Sequence, residues 1–394
     1  MVHIYTFCNK TLIGRRENLS SKFLCGEMYK LNLKVEETSV FSFDFDFSQI
    51  NFKNKQIYFL LMSKSNQNLN KYLASLSGSE LAENSILKTC VCRFFESSGL
   101  QMDANTQKEW LIPQNAQPII NEKSRTQGFK VTIGECQIFV LPNEVLEVKS
   151  IYYNSVLNEL EELGNGYVSE TYKTFGLTTE SILGALASII NGFSSIRISV
   201  FGEDLDNTIV IKAKQNNESF QECQRQVYKT LEKNIYSIHG IELQEYLNQL
   251  IQNSNAQICF AGDATVACLI NCLTETNLAD HLAECVILPT KSSCQRFVKN
   301  KDVVANANKV SSQTAYEIAV QCLNNYDVDL VVVCLSNIQG SVGENLIAIG
   351  NKKKIDVYKN NFCGTNETIK ANILKSMMFY LIKKLVLNDY KLTL

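Results

Sequence analysis

Proline is nearly absent from this chain, with 4 among 394 residues, and glycine is sparse at 18. So few breakers leave little room for disordered linkers, and the length suits two or three domains. Histidine is limited to His3, His239 and His281. No Cys-x-x-Cys occurs, the closest spacings being Cys90-x-Cys92 and Cys268-x3-Cys272. That pattern offers no metal site of the zinc type. A formal net charge of -2 lacks the electrostatic signature of a nucleic-acid or membrane-surface binder. No apolar run approaches the ~18 residues of a membrane span, so no membrane insertion is expected. The start has no basic segment leading into an apolar core, so no cleavable signal or transit peptide is expected either. Cysteine, by contrast, is plentiful. The 14 are scattered through strand-like and helix-like segments and are expected as buried, reduced thiols of a cytoplasmic or other reducing compartment.

Residues 3–7 read as a strand and 56–62 as a continuous apolar strand, and 20–31 places Phe23, Leu24, Met28 and Leu31 at helical spacing. Residues 131–141 read as one late strand ended by Pro142, and 146–163 return to a helical period before Gly164-Asn165-Gly166 breaks the chain. A smaller unit follows: a helix over 181–190 opened by Thr178-Thr179-Glu180, period-2 strands at 196–200 and 208–213, and a helix over 219–234. From residue 258 strand and helix alternate again: strand 258–261, helix 265–272, strand 285–288, helix 313–323, strands 330–335 and 346–349, helix 367–387. The expected fold class is α/β, with two three-layer domains of largely parallel sheet, 1–164 and 251–394, joined by a small α+β module over 165–250. The last helix carries more apolar surface, at Leu374, Met378, Phe379 and Ile382, than one core face requires. It is either a docking element or a helix sandwiched within its own domain.

Several stretches repeat a known order of parts. They are Ile4-Tyr5-Thr6-Phe7-Cys8-Asn9-Lys10-Thr11-Leu12-Ile13-Gly14, then Phe59-Leu60-Leu61-Met62-Ser63-Lys64-Ser65-Asn66-Gln67-Asn68, then Phe175-Gly176-Leu177 with Glu180-Ser181. Further on come Gly262-Asp263-Ala264-Thr265-Val266-Ala267, Lys309-Val310-Ser311-Ser312 and Ser336-Asn337-Ile338-Gln339-Gly340. In pattern and spacing the chain resembles, over nearly its whole length, the CinA (competence/damage-inducible) family. That family joins a molybdopterin-binding-like domain with pyrophosphatase activity, a KH-like module and a nicotinamide-nucleotide amidase domain.

The resemblance implies sites whose chemistry this chain has replaced. The family's nucleophilic serine falls on Asp263, and the tyrosine and lysine that activate it fall on Leu288 and Ser293. Lys10 stands where the family has an acidic residue. A glycine-rich, diacidic turn that would cradle a diphosphate and its cation is replaced by residues 63–68, with Asn66-Gln67-Asn68 in place of carboxylates. Without glycine the backbone cannot readily approach phosphate at positive φ, and a hard cation loses its oxygen ligands. The family's Leu-Pro-Gly-Pro-Pro survives as Val140-Leu141-Pro142-Asn143-Glu144. Thr265, Ser336 and Gly340 keep a hydroxyl or glycine that a small nucleotide ligand would use, and Lys370 keeps the charge of a family arginine without its fork.

Asp263 itself reads in two ways, as a carboxylate nucleophile or as a helix N-cap or solvated turn residue. Lacking a neighbouring base in sequence, it favours the second. Thr265 is likewise a phosphate ligand or a capping hydroxyl. Lys352-Lys353-Lys354 reads as a solvated hairpin turn after residues 346–349. Asn191-Gly192-Phe193-Ser194-Ser195 has one glycine and no adjacent cation, against the Gly-x-x-Gly clamp of an RNA-binding KH module, so no nucleic acid is expected. The expectation is a catalytically inactive CinA-like pseudoenzyme without cofactor or metal. It would serve as a structural or scaffold subunit, as the homodimer the resemblance implies or within a larger protein assembly. The alternative is a divergent hydrolase or sensor for a pyridine nucleotide or ADP-ribose-like ligand.

Overall fold

The computed structural model describes residues 1–103, 106–121, 124–163, 167–254, 256–274 and 278–387. The break at Gly164-Asn165-Gly166 lies outside the described residues. The chain divides into two compact units, Met1–Ser169 with Lys212–Asn216, and Glu170–Ile211 with Asn217–Leu394.

In the first unit the strands are β1 (Val2–Phe7), β2 (Val35–Phe41), β3 (Ile57–Met62), β4 (Leu81–Glu83), β5 (Leu111–Pro113), β6 (Gln117–Ile119), β7 (Gly128–Ile133) and β8 (Cys136–Pro142). Six of them form a sheet in the order β2-β1-β3-β8-β7-β6, while β4 and β5 pair separately. β2, β1, β3 and β8 run parallel, and β7 and β6 are added antiparallel. Every residue of β1 and β3 is buried, because helices cover both sheet faces and no polar alternation can survive. Tyr58 and Leu60 pack with Leu69, Leu73 and Val91 on one face. Phe59 and Leu61 pack with Leu24, Met28, Val148 and Tyr152 on the other. The single strand expected over 131–141 is instead a hairpin. Gly134, at φ +60, turns β7 into β8, a left-handed conformation that glycine adopts without penalty. The helical stretch after β8 holds, with a π-helical turn at Tyr152–Val156 between Val145–Ile151 and Leu157–Leu163.

Chiefly in the second unit, β9 (Val168–Phe175), β10 (Arg197–Glu203), β11 (Asp206–Ala213) and β12 (Ile235–Ser237) form a sheet in the order β10-β11-β9-β12. Helices Thr179–Gly192 and Glu218–Leu231 accompany it, opened by side-chain caps from Thr178 and Asn217. A second sheet holds β13 (Ile258–Gly262), β14 (Leu282–Ile287), β15 (Leu330–Gln339), β16 (Val342–Gly350) and β17 (Ile355–Cys363), in the order β14-β13-β15-β16-β17. β14, β13 and β15 are parallel, whereas β15, β16 and β17 form an antiparallel meander. Lys352, Lys353 and Lys354 lie exposed in the β16–β17 turn, where Asn351 Oδ1 accepts the N–H groups of Lys353 and Lys354. Helix Asn366–Leu387 is the sandwiched alternative: Ile369, Ile373, Met377, Met378, Leu381 and Ile382 are buried in one cluster with Leu247, Leu269, Val332 and Ile349.

All 14 cysteines are free thiols. The expectation that they are buried holds for Cys8, Cys136, Cys223, Cys259, Cys294, Cys322 and Cys334 but not for Cys268, Cys285 and Cys363, which are exposed. Cys285 lies on an edge strand and Cys363 at the end of another, where one flank of the sheet has no neighbour.

Candidate functional site

The C-terminal site is built where β13 runs out beside β15. Gly262 has φ +141, and a Cβ there would stand 1.9 Å from the Cys334 carbonyl oxygen, so only glycine lets the two strands approach. The next residue, Asp263, donates its N–H to that carbonyl at 3.1 Å. Its side chain is thereby carried into the interior at 6% exposure, which replaces the solvated-turn alternative with a buried cap.

The Asp263 carboxylate is saturated by short donors. Oδ1 accepts the Thr265 N–H at 3.0 Å and the Thr265 hydroxyl at 2.6 Å, at the start of helix Ala264–Thr274. Oδ2 accepts the Ser336 N–H at 2.5 Å and the Ser336 hydroxyl at 2.8 Å, with Lys309 Nζ at 3.8 Å. Thr265 Oγ1 also lies 3.5 Å from Cys334 Sγ, but a hydroxyl has one proton and the carboxylate is the nearer and stronger acceptor. Burial pushes the Cys334 thiol up to about 12.

Of the sequence-assigned residues, the fold therefore brings Asp263, Thr265 and Ser336 into one cluster. Leu288 is adjacent and buried, its N–H donating to the Gly262 carbonyl at 2.5 Å. Ser293 forms a capping box with Thr290 at the head of helix Lys291–Phe297. Gly340 sits at the β15–β16 hairpin tip with φ +60, and Lys370 is exposed on the terminal helix. Among the described residues no hydrogen bond or ion pair links Ser293, Gly340 or Lys370 to Asp263. Lys10 is exposed in the short helix Asn9–Leu12 after β1.

The first unit contains a cleft of about 370 Å³ at the start of helix Gln67–Leu76, where the replaced glycine-rich turn falls. Its walls include Phe43, Lys64, Gln67, Lys108, Glu109 and Arg125. Asn66 caps the helix, accepting the N–H groups of Asn68 and Leu69, and donates to the Phe43 carbonyl. Ser65 and Gln67 both donate to the Lys108 carbonyl, and Asn70 to that of Leu111. These bonds pin the 3-10 turn Thr106–Glu109 against the helix. Glu109 is 9% exposed, and among the described residues its Oε2 has no hydrogen-bond partner. An unpaired buried carboxyl oxygen costs on the order of 1–3 kcal/mol. Burial pushes the Glu109 carboxyl up to about 7, a rise to which Asp103 adds and which Arg125, the Ser65 N–H and Lys64 oppose.

Sequence reasoning missed Glu109, Lys108, Arg125 and the role of Lys309, which entered only as part of the Lys309-Val310-Ser311-Ser312 stretch. Glu109 carries one signal in hindsight: it adjoins the only tryptophan, Trp110, itself buried at 4% exposure. Among the described residues no group of three or more His, Cys, Asp or Glu converges to hold a metal ion, and no helix is long and apolar enough to cross a membrane.

No protein-family model matches the chain. A competence-damage inducible protein of Clostridium beijerinckii is 22% identical over 303 residues, covering 73% of each chain. One from Clostridioides difficile is 24% identical over 242 residues, covering 57% of this chain and 58% of that one. A CinA-like protein of Desulfosudis oleivorans is 23% identical over 191 residues, 46% of each. Among solved structures, CinA of Thermoplasma acidophilum is similar at 15% identity and a TM-score of 0.34, over 40% of this chain and 96% of that one. Over most of its length the chain is similar in sequence to competence-damage inducible, CinA-like proteins.

Proposed function

We propose that this chain is a CinA-family pseudoenzyme, a structural or scaffold subunit of an oligomer or larger assembly. The reading takes the chain as three parts, 1–164, a KH-like 165–250, and an amidase-like 251–394. The observation that carries it is the state of Asp263. A nucleophile must aim a lone pair at substrate, and here both carboxylate oxygens are taken by Thr265 and Ser336. The neighbouring position that the family resemblance assigns to an activating tyrosine is the buried Leu288, which cannot move a proton. The alternative of a nucleotide held by Thr265, Ser336 and Gly340 draws less support, because the two hydroxyl protons are directed at Asp263 and Gly340 lies at a hairpin tip.

Two measurements test the proposal. Incubation with nicotinamide mononucleotide is expected to release no ammonia above background, whereas release abolished by Asp263→Ala would sink the inactive reading. Purification of the native protein is expected to bring stoichiometric partners or a homodimer. A monodisperse monomer without partners would sink the scaffold reading.

A further inference from the structure

We propose that two copies of this chain pair through β10, the free edge of one copy hydrogen-bonding antiparallel to the same strand of the other about a two-fold axis at Val200. The inference rests on the oligomer reading above and names its contact surface. β10 is the outermost strand of its sheet, and among the described residues it has β11 on one side and no strand on the other. The unpaired N–H and C=O groups of an edge are a template for another strand, and native edges are commonly blunted by short length, proline or an internal charge. β10 has none of these. It runs for seven residues, Arg197 to Glu203, without proline and without a charge between its ends.

Pairing with a second copy asks that a strand fit its own reverse. Centred on Val200, Ile198 falls opposite the partner's Gly202 and Ser199 opposite the partner's Phe201, so each bulky side chain meets a small one. The small residue is required. A Cβ at Gly202 would stand 2.7 Å from the Asp206 carbonyl oxygen, closer than side chains approach a backbone. Phe201 is 47% exposed in the single chain, apolar surface that the pairing covers. The charges agree as well. Arg197, at one end of β10, comes beside the partner's hairpin tip, where Asp204 turns the chain toward β11 at φ +55. Both are exposed, and neither has an ion-pair partner among the described residues. The two-fold makes this pair twice, once at each end of the seam. β17, a longer free edge, fails the same requirement: centred on its own middle it would set Lys359 against Lys359, and like charges directly opposite repel.

Sedimentation velocity of the full chain from about 1 to about 100 µM provides the test. A reversible dimer is expected, weakened about tenfold by Arg197→Glu and by Asp204→Arg, since each sets two like charges at both ends of the seam. Combining Arg197→Glu with Asp204→Arg is expected to recover most of the loss, because the pair re-forms with its signs exchanged. A purely structural role for either residue would not be rescued in this way. Phe201→Ala is expected to weaken the dimer without rescue, and far-UV circular dichroism restricts the comparison to folded variants. A dimer indifferent to these substitutions, or a double variant that recovers nothing, would overturn the seam and leave the oligomer reading standing. So would a wild type that stays monomeric to about 100 µM yet co-purifies with a different protein at fixed stoichiometry. A monomer with no partner at all would end both.

Discussion

Ser336 donates twice to a single oxygen of Asp263, through its backbone N–H at 2.5 Å and its hydroxyl at 2.8 Å. The carboxylate thus stitches β15 to the turn after β13. Thr265 does the same from the helix side, so three elements converge on one side chain that is 6% exposed. A buried charge of this kind is tolerated only when its oxygens are fully paired, and here they are.

Asp263→Ala is expected to destabilise the chain by about 3 kcal/mol, because it strands the Ser336 and Thr265 N–H groups in the interior. Lys309→Ala, removing a half-buried cation 3.8 Å from Oδ2, is expected to cost less than about 1 kcal/mol. Urea unfolding of both variants checks the order. Equal, small losses would mean that the carboxylate does not tie the strands.

The two glycines of this region are expected to respond differently. Gly262→Ala places a methyl 1.9 Å from a backbone carbonyl that cannot withdraw without parting β13 from β15, and should cost more than about 3 kcal/mol. Gly340→Ala meets open space and only the left-handed backbone penalty, about 1 kcal/mol. Thermal melts of the two proteins give the comparison. A Gly262→Ala protein as stable as Gly340→Ala would contradict the close approach.

Glu109 makes stability depend on pH. Its carboxyl titrates at about 7 when folded, against roughly 4.3 when unfolded, so between those values the folded state binds more protons. Its favourable contribution is full below about pH 4, falls as pH rises, and is gone above about pH 7. Glu109→Gln should therefore gain on the wild type with rising pH, by on the order of 4 kcal/mol in all. Denaturant midpoints of both proteins at about pH 5 and about pH 8 test this; parallel shifts would refute it.

What was legible in the sequence follows from how far each residue's partners lie along the chain. Continuous apolar runs such as Ile57–Met62 and Ile258–Gly262 declared buried strands, since burial on two faces leaves its mark within the segment itself. β17 did not, because its Tyr358, Lys359, Asn360 and Asn361 mix aromatic and polar side chains along a sheet edge. β7 and β8 merged into one strand because a two-residue turn at Gly134-Glu135 barely interrupts the apolar pattern. Asp263 was found as a position in a family motif. Its actual partner Ser336 comes from another strand, and Glu109 and Arg125 are brought to Lys64 only by tertiary folding. Nothing local in the sequence encodes such meetings.

The second sheet of unit two has two halves that differ in the chain entropy their closure costs. β15, β16 and β17 are consecutive and antiparallel, so each pairing closes a short loop and costs little chain entropy. β13 must reach β15 in parallel across the whole stretch that carries β14 and several helices, a far larger loop. Pairings of that kind are intrinsically slow to form. The Asp263–Ser336 clasp is one of them: it requires the end of β13 to lie beside β15, so it reports that the costlier closure in this half of the chain has been made.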